Sequence, residues 1–283
     1  MILNRKRNLL SGHCTAGLSV AILFLVCAGF SAVLNAGTRS VEGLEIDSVV
    51  LYGSSKLEIN QDDVTLLRIK GSNDDLDREP FYVKGDTLYL GATRDNYRIG
   101  SLKFKLSVPT LNKITLKGSG EIYVRPLEVD ALHVELAGSG DINLFKVTAT
   151  TLNLELAGSG GVRLADVTAQ EVELVVAGSG TIELGEIQTE VLRAVINGSG
   201  DITGSEKGQA REVTVEIVGS GDVKLEEVRA DEVEVNIMGS GDVSVWAEKE
   251  LEISIMGSGD VSYHGDPEIR TTVLGSGDVE ELD

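Results

Sequence analysis

Apolar and polar residues alternate in short stretches along most of the chain, and the stretches repeat. Residues 132–136, 152–156 and 172–176 each place an apolar side chain at every second position. This period of two is typical of a β-strand with one buried face. The sequence therefore predicts an all-β chain of repeated strands. The pattern recurs at 192–196, 213–217, 233–237 and 251–255.

Each of these stretches ends in Gly-Ser-Gly. The tripeptide occurs nine times, at intervals of 20, 20, 20, 20, 21, 20, 18 and 18 residues. A near-constant period of this length is typical of a solenoid. Because glycine permits positive φ and close stacking, the tripeptides are predicted to form corners of the coil. The first glycines of the corners are Gly118, Gly138, Gly158, Gly178, Gly198, Gly219, Gly239, Gly257 and Gly275.

A shorter apolar strand and then a third apolar position follow each corner. One repeat cannot shield all these aliphatic side chains from water, but stacked repeats can. We therefore predict a single-stranded, right-handed parallel β-helix, with the hand taken from the usual crossover preference. An antiparallel meander with Gly-Ser-Gly hairpin loops is the alternative, but it gives the third position no role. The third column is Leu127, Val147, Val167, Ile187 and Val228.

The repeat is less regular in the N-terminal half and near two later corners. We predict irregular coils or a cap for residues 38–117 and regular coils for residues 118–283. Together, residues 38–283 are expected to form one continuous domain. Gly204 stands where other repeats have leucine, which predicts a bulge or protruding loop. The two 18-residue repeats are expected to shorten the corner opposite Gly-Ser-Gly.

The N-terminal segment, residues 1–37, carries a basic cluster followed by an apolar run from Gly17 to Leu34. This order is typical of an export signal, and the run is also close to the length of a membrane span. Either a cleaved signal peptide or an uncleaved anchor fits. Both place the rest of the chain outside the cytoplasm, in the periplasm, the cell envelope or at the cell surface.

The charge distribution narrows the range of partners. The net charge is −20, and the first 36 residues contribute +3, so the remainder carries −23. Such a chain repels phosphate backbones, which argues against nucleic acid and favours cationic partners or divalent ions. The two cysteines, Cys14 and Cys27, both lie in the N-terminal segment, so no disulfide framework is expected in the body.

An aspartate follows the corner in six of the repeats. Stacked carboxylates repel one another, and bound Ca²⁺ would relieve that repulsion. Ordinary turn chemistry, in which each carboxylate accepts hydrogen bonds from neighbouring amides, is the simpler interpretation. We expect no cofactor, and only weak calcium candidates, at Asp222, Asp242, Asp260 and Asp278.

Residues with catalytic potential are sparse. Glu135 and Glu155 share an outward column but recur with the repeat, and His133 and His264 have no nucleophile pattern beside them. We therefore predict no catalytic site. Trp246 and Tyr263 suggest either a small carbohydrate-stacking patch or, more simply, packing at the shortened corner.

The whole pattern from about residue 40 to 283 resembles the bacterial head GIN domain family, described as putative auto-transporter adhesins. The motifs that carry it are "SVPTLNKITLKGSGEI" and the repeated "GSGDI" and "GSGDV", as at 138–142, 198–202 and 219–223. The resemblance implies an exported bacterial protein with a β-helical body. It supplies no catalytic or ligand residues, and no segment after residue 118 reads as a membrane β-barrel.

The sequence thus predicts a non-enzymatic exported solenoid that presents an extended acidic surface in a structural or adhesive role. Its expected partner is an envelope component, a surface glycan or a protein, with a membrane contact through the N-terminal segment if that segment is uncleaved. A polysaccharide-directed β-helix enzyme and a calcium-stabilised envelope protein are the alternatives.

Overall fold

The computed structural model describes residues 34–35, 37–94 and 99–282 of the chain. These residues are almost entirely strand and form a β-solenoid of about 8 turns, which confirms the predicted fold class. The predicted signal or anchor falls almost wholly outside them. None of the helices in the described part is long and apolar enough to cross a membrane.

The N-terminal cap comprises residues 37–108 and contains a short helix, α1 (Asn73–Leu76), which begins after the capping residue Ser72. The strands of this part, with the short strand that leads into it, are β1 (Leu34–Asn35), β2 (Thr38–Glu42), β3 (Ser48–Gly53), β4 (Lys56–Gln61), β5 (Leu66–Lys70), β6 (Phe81–Lys84), β7 (Thr87–Leu90) and β8 (Lys103–Val108).

The regular coils follow the cap. Each coil has a long strand on face A, a Gly-Ser-Gly corner, a shorter strand on face B and a third short segment on face C. The strands are β9 (Lys113–Gly118), β10 (Glu121–Val124), β11 (Leu127–Glu128), β12 (Ala131–Gly138), β13 (Asp141–Leu144), β14 (Val147–Thr148), β15 (Thr151–Gly158), β16 (Gly161–Thr168), β17 (Glu171–Gly178), β18 (Thr181–Gln188), β19 (Val191–Gly198), β20 (Asp201–Gly204), β21 (Gly208–Gly219), β22 (Val223–Gly239), β23 (Val243–Gly257), β24 (Val261–His264), β25 (Glu268–Gly275) and β26 (Val279–Glu281).

Successive coils pair in parallel and in register. Leu136 of β12 lies beside Leu156 of β15, which in turn lies beside Val176 of β17. The same one-coil offset holds on face B, where Ile142 lies beside Val162. This parallel pairing is that of the predicted β-helix and excludes the antiparallel meander for these coils.

The core fills the axis of the coil with aliphatic side chains. The third column, predicted from the spacing alone, is buried, with each of its five residues at most 2% exposed. One continuous cluster of buried residues extends from Val41 in the cap to Tyr263 near the last coil. Full burial of such a side chain contributes about 1.5–3 kcal/mol, so the shared core stabilises both the cap and the coils, and residues 37–283 contain the whole of this core.

The order of winding in the cap differs from the sequence order. Strand β3 pairs in parallel with both β7 and β9, and β4 pairs in parallel with both β8 and β10. The β3–β4 coil is therefore inserted between two coils that follow it in the chain. The remaining cap strands are antiparallel: β2 pairs with β5, β5 with β8, and β6 with β7. This pairing covers an edge that a simple stack of coils would leave free.

The irregular repeats distort the coil where the spacing predicts it. In the 21-residue interval, exposed residues 205–207 protrude between β20 and β21, as expected from Gly204. In the first 18-residue coil, Leu225 lies beside Val245 and Arg229 beside Trp246, which removes three residues, and one residue is added between Ala247 and Glu250. The side opposite Gly-Ser-Gly is therefore shorter by two residues. The expected shortening of that corner is confirmed.

Candidate functional site

The Gly-Ser-Gly corners depend on glycine for two separate reasons. The first glycine of each corner has φ between +134° and +151°, a region that other L-residues rarely adopt. At Gly158 a Cβ atom would also lie 2.1 Å from the carbonyl oxygen of Gly138 in the preceding coil. At Gly160 a Cβ would lie 2.2 Å from the oxygen of Gly140. Both glycines of the corner are thus set by the close approach of stacked backbones.

The aspartates after the corners form a ladder of hydrogen bonds. The backbone N–H of Asp242 donates to Oδ1 of Asp222 at 3.1 Å, and that of Asp260 donates to Oδ1 of Asp242 at 3.0 Å. The ladder begins with Asp222 donating to Asp201 at 3.2 Å and ends with Asp278 donating to Asp260 at 2.9 Å. Hydrogen bonds to carboxylates are stronger than neutral ones, so the ladder ties together the last coils.

In earlier coils a backbone carbonyl takes the place of the carboxylate. The N–H of Asp141 donates to the oxygen of Gly120, and that of Asp201 to the oxygen of Gly180. Within the described residues, no group of three or more His, Cys, Asp or Glu side chains is arranged to hold a metal ion. The carboxylates of Asp222, Asp242 and Asp260 accept the amide hydrogen bonds expected from turn chemistry, and calcium binding stays a prediction.

The predicted outward carboxylates lie in an ion-pair network. Glu135 on β12 contacts Lys113 at 3.3 Å and Lys117 at 3.8 Å. His133 lies two residues earlier on the same strand, between Lys113 and Asn153 of the neighbouring strands. Glu155 lies beside Glu135 in the next coil. Glu135, His133 and Glu155 are therefore surface groups of face A.

Trp246 is packed between two neighbouring side chains. The Arg229 guanidinium lies 4.3 Å from the centre of its ring, and the His264 ring lies 5.1 Å away on the following coil. The indole Nε1 donates to Oε1 of Glu248 at 2.9 Å. Tyr263 points inward and is only 8% exposed. Since Tyr263 is buried while Trp246 stays partly exposed, the two aromatic residues do not form a shared platform for a sugar.

Two grooves, each of about 620 Å³, lie beside each other near this tryptophan on face C. Gln188, Gln209 and Arg229 line both grooves. Trp246 lines one of them with Lys207, at the edge of the protruding loop. One groove therefore borders the irregular coil, and the other extends over the regular coils beside it.

Large apolar side chains form an exposed line along face A, at the position just before the corner. Their exposed fractions range from 51% to 62%, and each lies beside the next in the parallel register. Earlier coils have Ala137, Ala157, Ala177 and Asn197 at this position. Our sequence reasoning missed this change from small to large side chains, although it is visible before each Gly-Ser-Gly. We call the following four residues the apolar column: Val218, Met238, Met256 and Leu274.

Three solved structures share this fold. A putative lipid binding protein from Parabacteroides distasonis ATCC 8503 is 26% identical, with a TM-score of 0.67 over 87% of this chain and 96% of that chain. A putative adhesin from the same organism is 19% identical, with a TM-score of 0.64 over 87% and 96%. A putative adhesin from Parabacteroides merdae ATCC 43184 is 19% identical, with a TM-score of 0.63 over 87% and 95%.

Sequence comparison defines the family. No curated protein matches the chain. The family described as "Putative auto-transporter adhesin, head GIN domain" matches residues 45–203 and 162–267, which together span most of the chain. An adhesin family indicates an exported or surface protein. The solenoid described here belongs to the head GIN domain family, as its repeated corners predict.

Proposed function

We propose that this protein is a non-enzymatic, exported adhesive solenoid that binds a partner protein of the cell envelope through the apolar column. The observation that carries the proposal is the line of four exposed aliphatic side chains on consecutive coils. Soluble proteins rarely leave large side chains exposed in a continuous line unless the surface is used for binding. Strands on consecutive coils are about 4.8 Å apart, so the column extends for about 15 Å.

The surroundings of the column define the chemistry of the partner. The Asp ladder lies on the other side of the corner, starting four residues after each column residue, as in Met238 and Asp242. Residues 118–283 hold 33 acidic and 10 basic residues. A complementary partner therefore presents an apolar strip bordered by lysine or arginine, and electrostatic attraction speeds its association.

A non-enzymatic role fits the contacts of the predicted carboxylates. Glu135 is held by two lysines, and the ladder carboxylates accept backbone hydrogen bonds. Catalytic acids and bases need a reacting group within hydrogen-bond reach and a pKa suited to proton transfer. Neither Glu135 nor His133 is placed beside such a group among the described residues.

Lipid binding is the second candidate, because one similar structure is named a putative lipid binding protein. The aliphatic nature of Met238, Met256 and Leu274 gives this candidate a physical basis in the present chain. It predicts that acyl chains, instead of a protein, cover the column.

The test is retention of envelope proteins by an immobilised body, residues 37–283. A variant with Met238→Ser, Met256→Ser and Leu274→Ser removes most of the column. Val64→Ser is the matched control, since Val64 is 63% exposed but lies outside the column. We expect a specific protein to be retained by the wild type and by the control, and lost from the triple variant. Equal retention by all three forms contradicts the proposal, and extraction of lipid alone from the wild type supports the second candidate.

A further inference from the structure

One exposed face of the cap is basic, in contrast to the rest of the molecule. Strands β4, β8 and β5 lie side by side on face B, with Lys56 beside Lys103 and Lys103 beside Lys70. On the same strands, Lys105 lies beside Arg68. All five side chains are exposed. We call these five residues the basic face.

Only part of this positive charge is neutralised. Lys56 pairs with Glu121 at 2.6 Å, and Lys105 pairs with Glu58 at 2.9 Å. Across the described part of the chain, no ion pair involves Arg68, Lys70 or Lys103. The structure therefore leaves three cations free on a flat sheet surface, where a planar array of anions can reach them together.

The sign of the charge reverses along the axis of the solenoid. The row of residues at the start of face B passes from Lys70 through Lys103 and Lys56 to Glu121 and Asp141 in successive strands. Residues 37–108 hold 10 basic and 12 acidic residues, whereas residues 118–283 hold 10 basic and 33 acidic residues. The basic face is thus a local concentration of positive charge, in the part of the body where acidic residues outnumber basic ones least.

The basic face also lies where the chain enters the fold. Thr38 of β2 lies beside Lys70 of β5, one strand from Lys103. The apolar run that ends at Leu34 precedes Thr38 by only a few residues. A membrane that holds this run therefore lies close to Lys70 and Lys103.

We propose that the basic face docks the cap onto an anionic lipid surface. The inference goes beyond the adhesive role, because it uses the opposite end of the molecule and a different partner. Each lysine or arginine at an anionic bilayer contributes roughly a fivefold gain in partitioning. The surface potential falls off within about 8 Å at physiological salt, which is less than two strand spacings. Glu121 and Asp141, which continue the row on face B, lie two or more strand spacings from Lys103, so their charge is largely screened at Lys70 and Lys103.

Vesicle flotation with the body, residues 37–283, tests the proposal. The vesicles are phosphatidylcholine alone, or phosphatidylcholine with about a third phosphatidylglycerol. The informative variant is Lys70→Gln with Lys103→Gln. Its matched control is Lys207→Gln with Lys224→Gln, which removes the same charge from two exposed lysines of the acidic coils.

We expect binding only to the vesicles that contain phosphatidylglycerol, with a loss on the order of tenfold or more for Lys70→Gln with Lys103→Gln. The control variant and the triple serine variant of the apolar column should bind like the wild type. Binding should also weaken at high salt. Equal binding to both kinds of vesicle, an equal loss in the control, or binding to dextran sulfate without binding to vesicles overturns the proposal. A loss in the apolar-column variant assigns lipid contact to the column and likewise overturns it.

Discussion

The backbone N–H of Asp242 donates a hydrogen bond to Oδ1 of Asp222 in the preceding coil, at 3.1 Å. The side chain of Asp242 in turn accepts the N–H of Asp260. Asp222, Asp242 and Asp260 are therefore each both donor and acceptor in one continuous chain of contacts. Like charges are held at coil spacing because each of these carboxylates accepts a backbone N–H of the next coil.

Replacing Asp242 separates the roles of hydrogen bond and charge. In Asp242→Asn an acceptor remains and a repulsive charge is lost, so we expect stability equal to or above that of the wild type at low salt. In Asp242→Ala the N–H of Asp260 loses its acceptor, and we expect a loss of about 0.5–1.5 kcal/mol. Urea unfolding of the three proteins measures the difference.

Calcium is tested with the same proteins. If the ladder is held by amide hydrogen bonds alone, neither chelator nor added Ca²⁺ changes the melting temperature of the wild type. A fall of several degrees with chelator, together with a destabilised Asp242→Asn variant, would instead assign a cation to these carboxylates.

The geometry of the corner predicts that alanine substitution costs much more stability at Gly158 than at Gly161. Gly158→Ala combines positive φ with a Cβ position 2.1 Å from the oxygen of Gly138, and we expect a loss of at least about 2 kcal/mol. Gly161→Ala has as its nearest neighbour only the flexible Asp141 carboxylate, at 3.1 Å. We expect this control to stay within about 1 kcal/mol of the wild type in urea unfolding. Equal losses of stability in the two variants would show that the close stacking of backbones at the corner does not determine the effect of the substitution.

The hydrogen bonds of Asp75, in the first turn of α1, predict that the stability of the protein depends on pH. The Ser72 hydroxyl donates to Oδ2 of Asp75 at 2.6 Å and the Gly100 N–H donates to Oδ1 at 3.2 Å, and these bonds lower the pKa of Asp75. Its stabilising contribution is therefore fully present above the unfolded pKa of about 3.9 and is lost as the pH falls through the lower folded pKa. The stability difference between the wild type and Asp75→Asn should be largest near neutral pH and vanish in acid. A difference that is constant with pH contradicts this.

Trp246 is the only tryptophan and reports on its own packing. Arg229→Ala uncovers one face of the ring, so we expect the fluorescence emission to shift to longer wavelength and stability to fall by about 0.5–1 kcal/mol. Arg270→Ala removes a similar exposed cation from another coil and serves as the control. An unchanged spectrum in Arg229→Ala would contradict the observed stacking.

The repeated coils could be predicted because their pattern is local. The inward positions around Leu136, Leu144 and Val147 follow from period and spacing, and the structure buries all three. The loop after Gly204 also followed from one missing leucine. The hand of the coil and the N-terminal export segment stay predictions.

The cap and the two proposed binding surfaces depend on contacts that the local pattern does not contain. Strand β3 pairs with β7 and β9, so its position depends on segments that come later in the chain. The basic face brings together Lys56, Lys70 and Lys103, which no repeat relates in sequence. The apolar column was visible in the repeat, but only the register showed that Met238 and Met256 are neighbours on an exposed face.

The identical corners of neighbouring coils have a consequence for the length of the molecule. The corner at Gly158 contacts the one at Gly138 in the same way as the corner at Gly178 contacts the one at Gly158. Excising one twenty-residue unit between two such corners rejoins equivalent backbones and shortens the rod by about 4.8 Å. Duplication of a unit lengthens it by the same step. The length of the solenoid is therefore set in discrete increments, independently of the cap and of the apolar column.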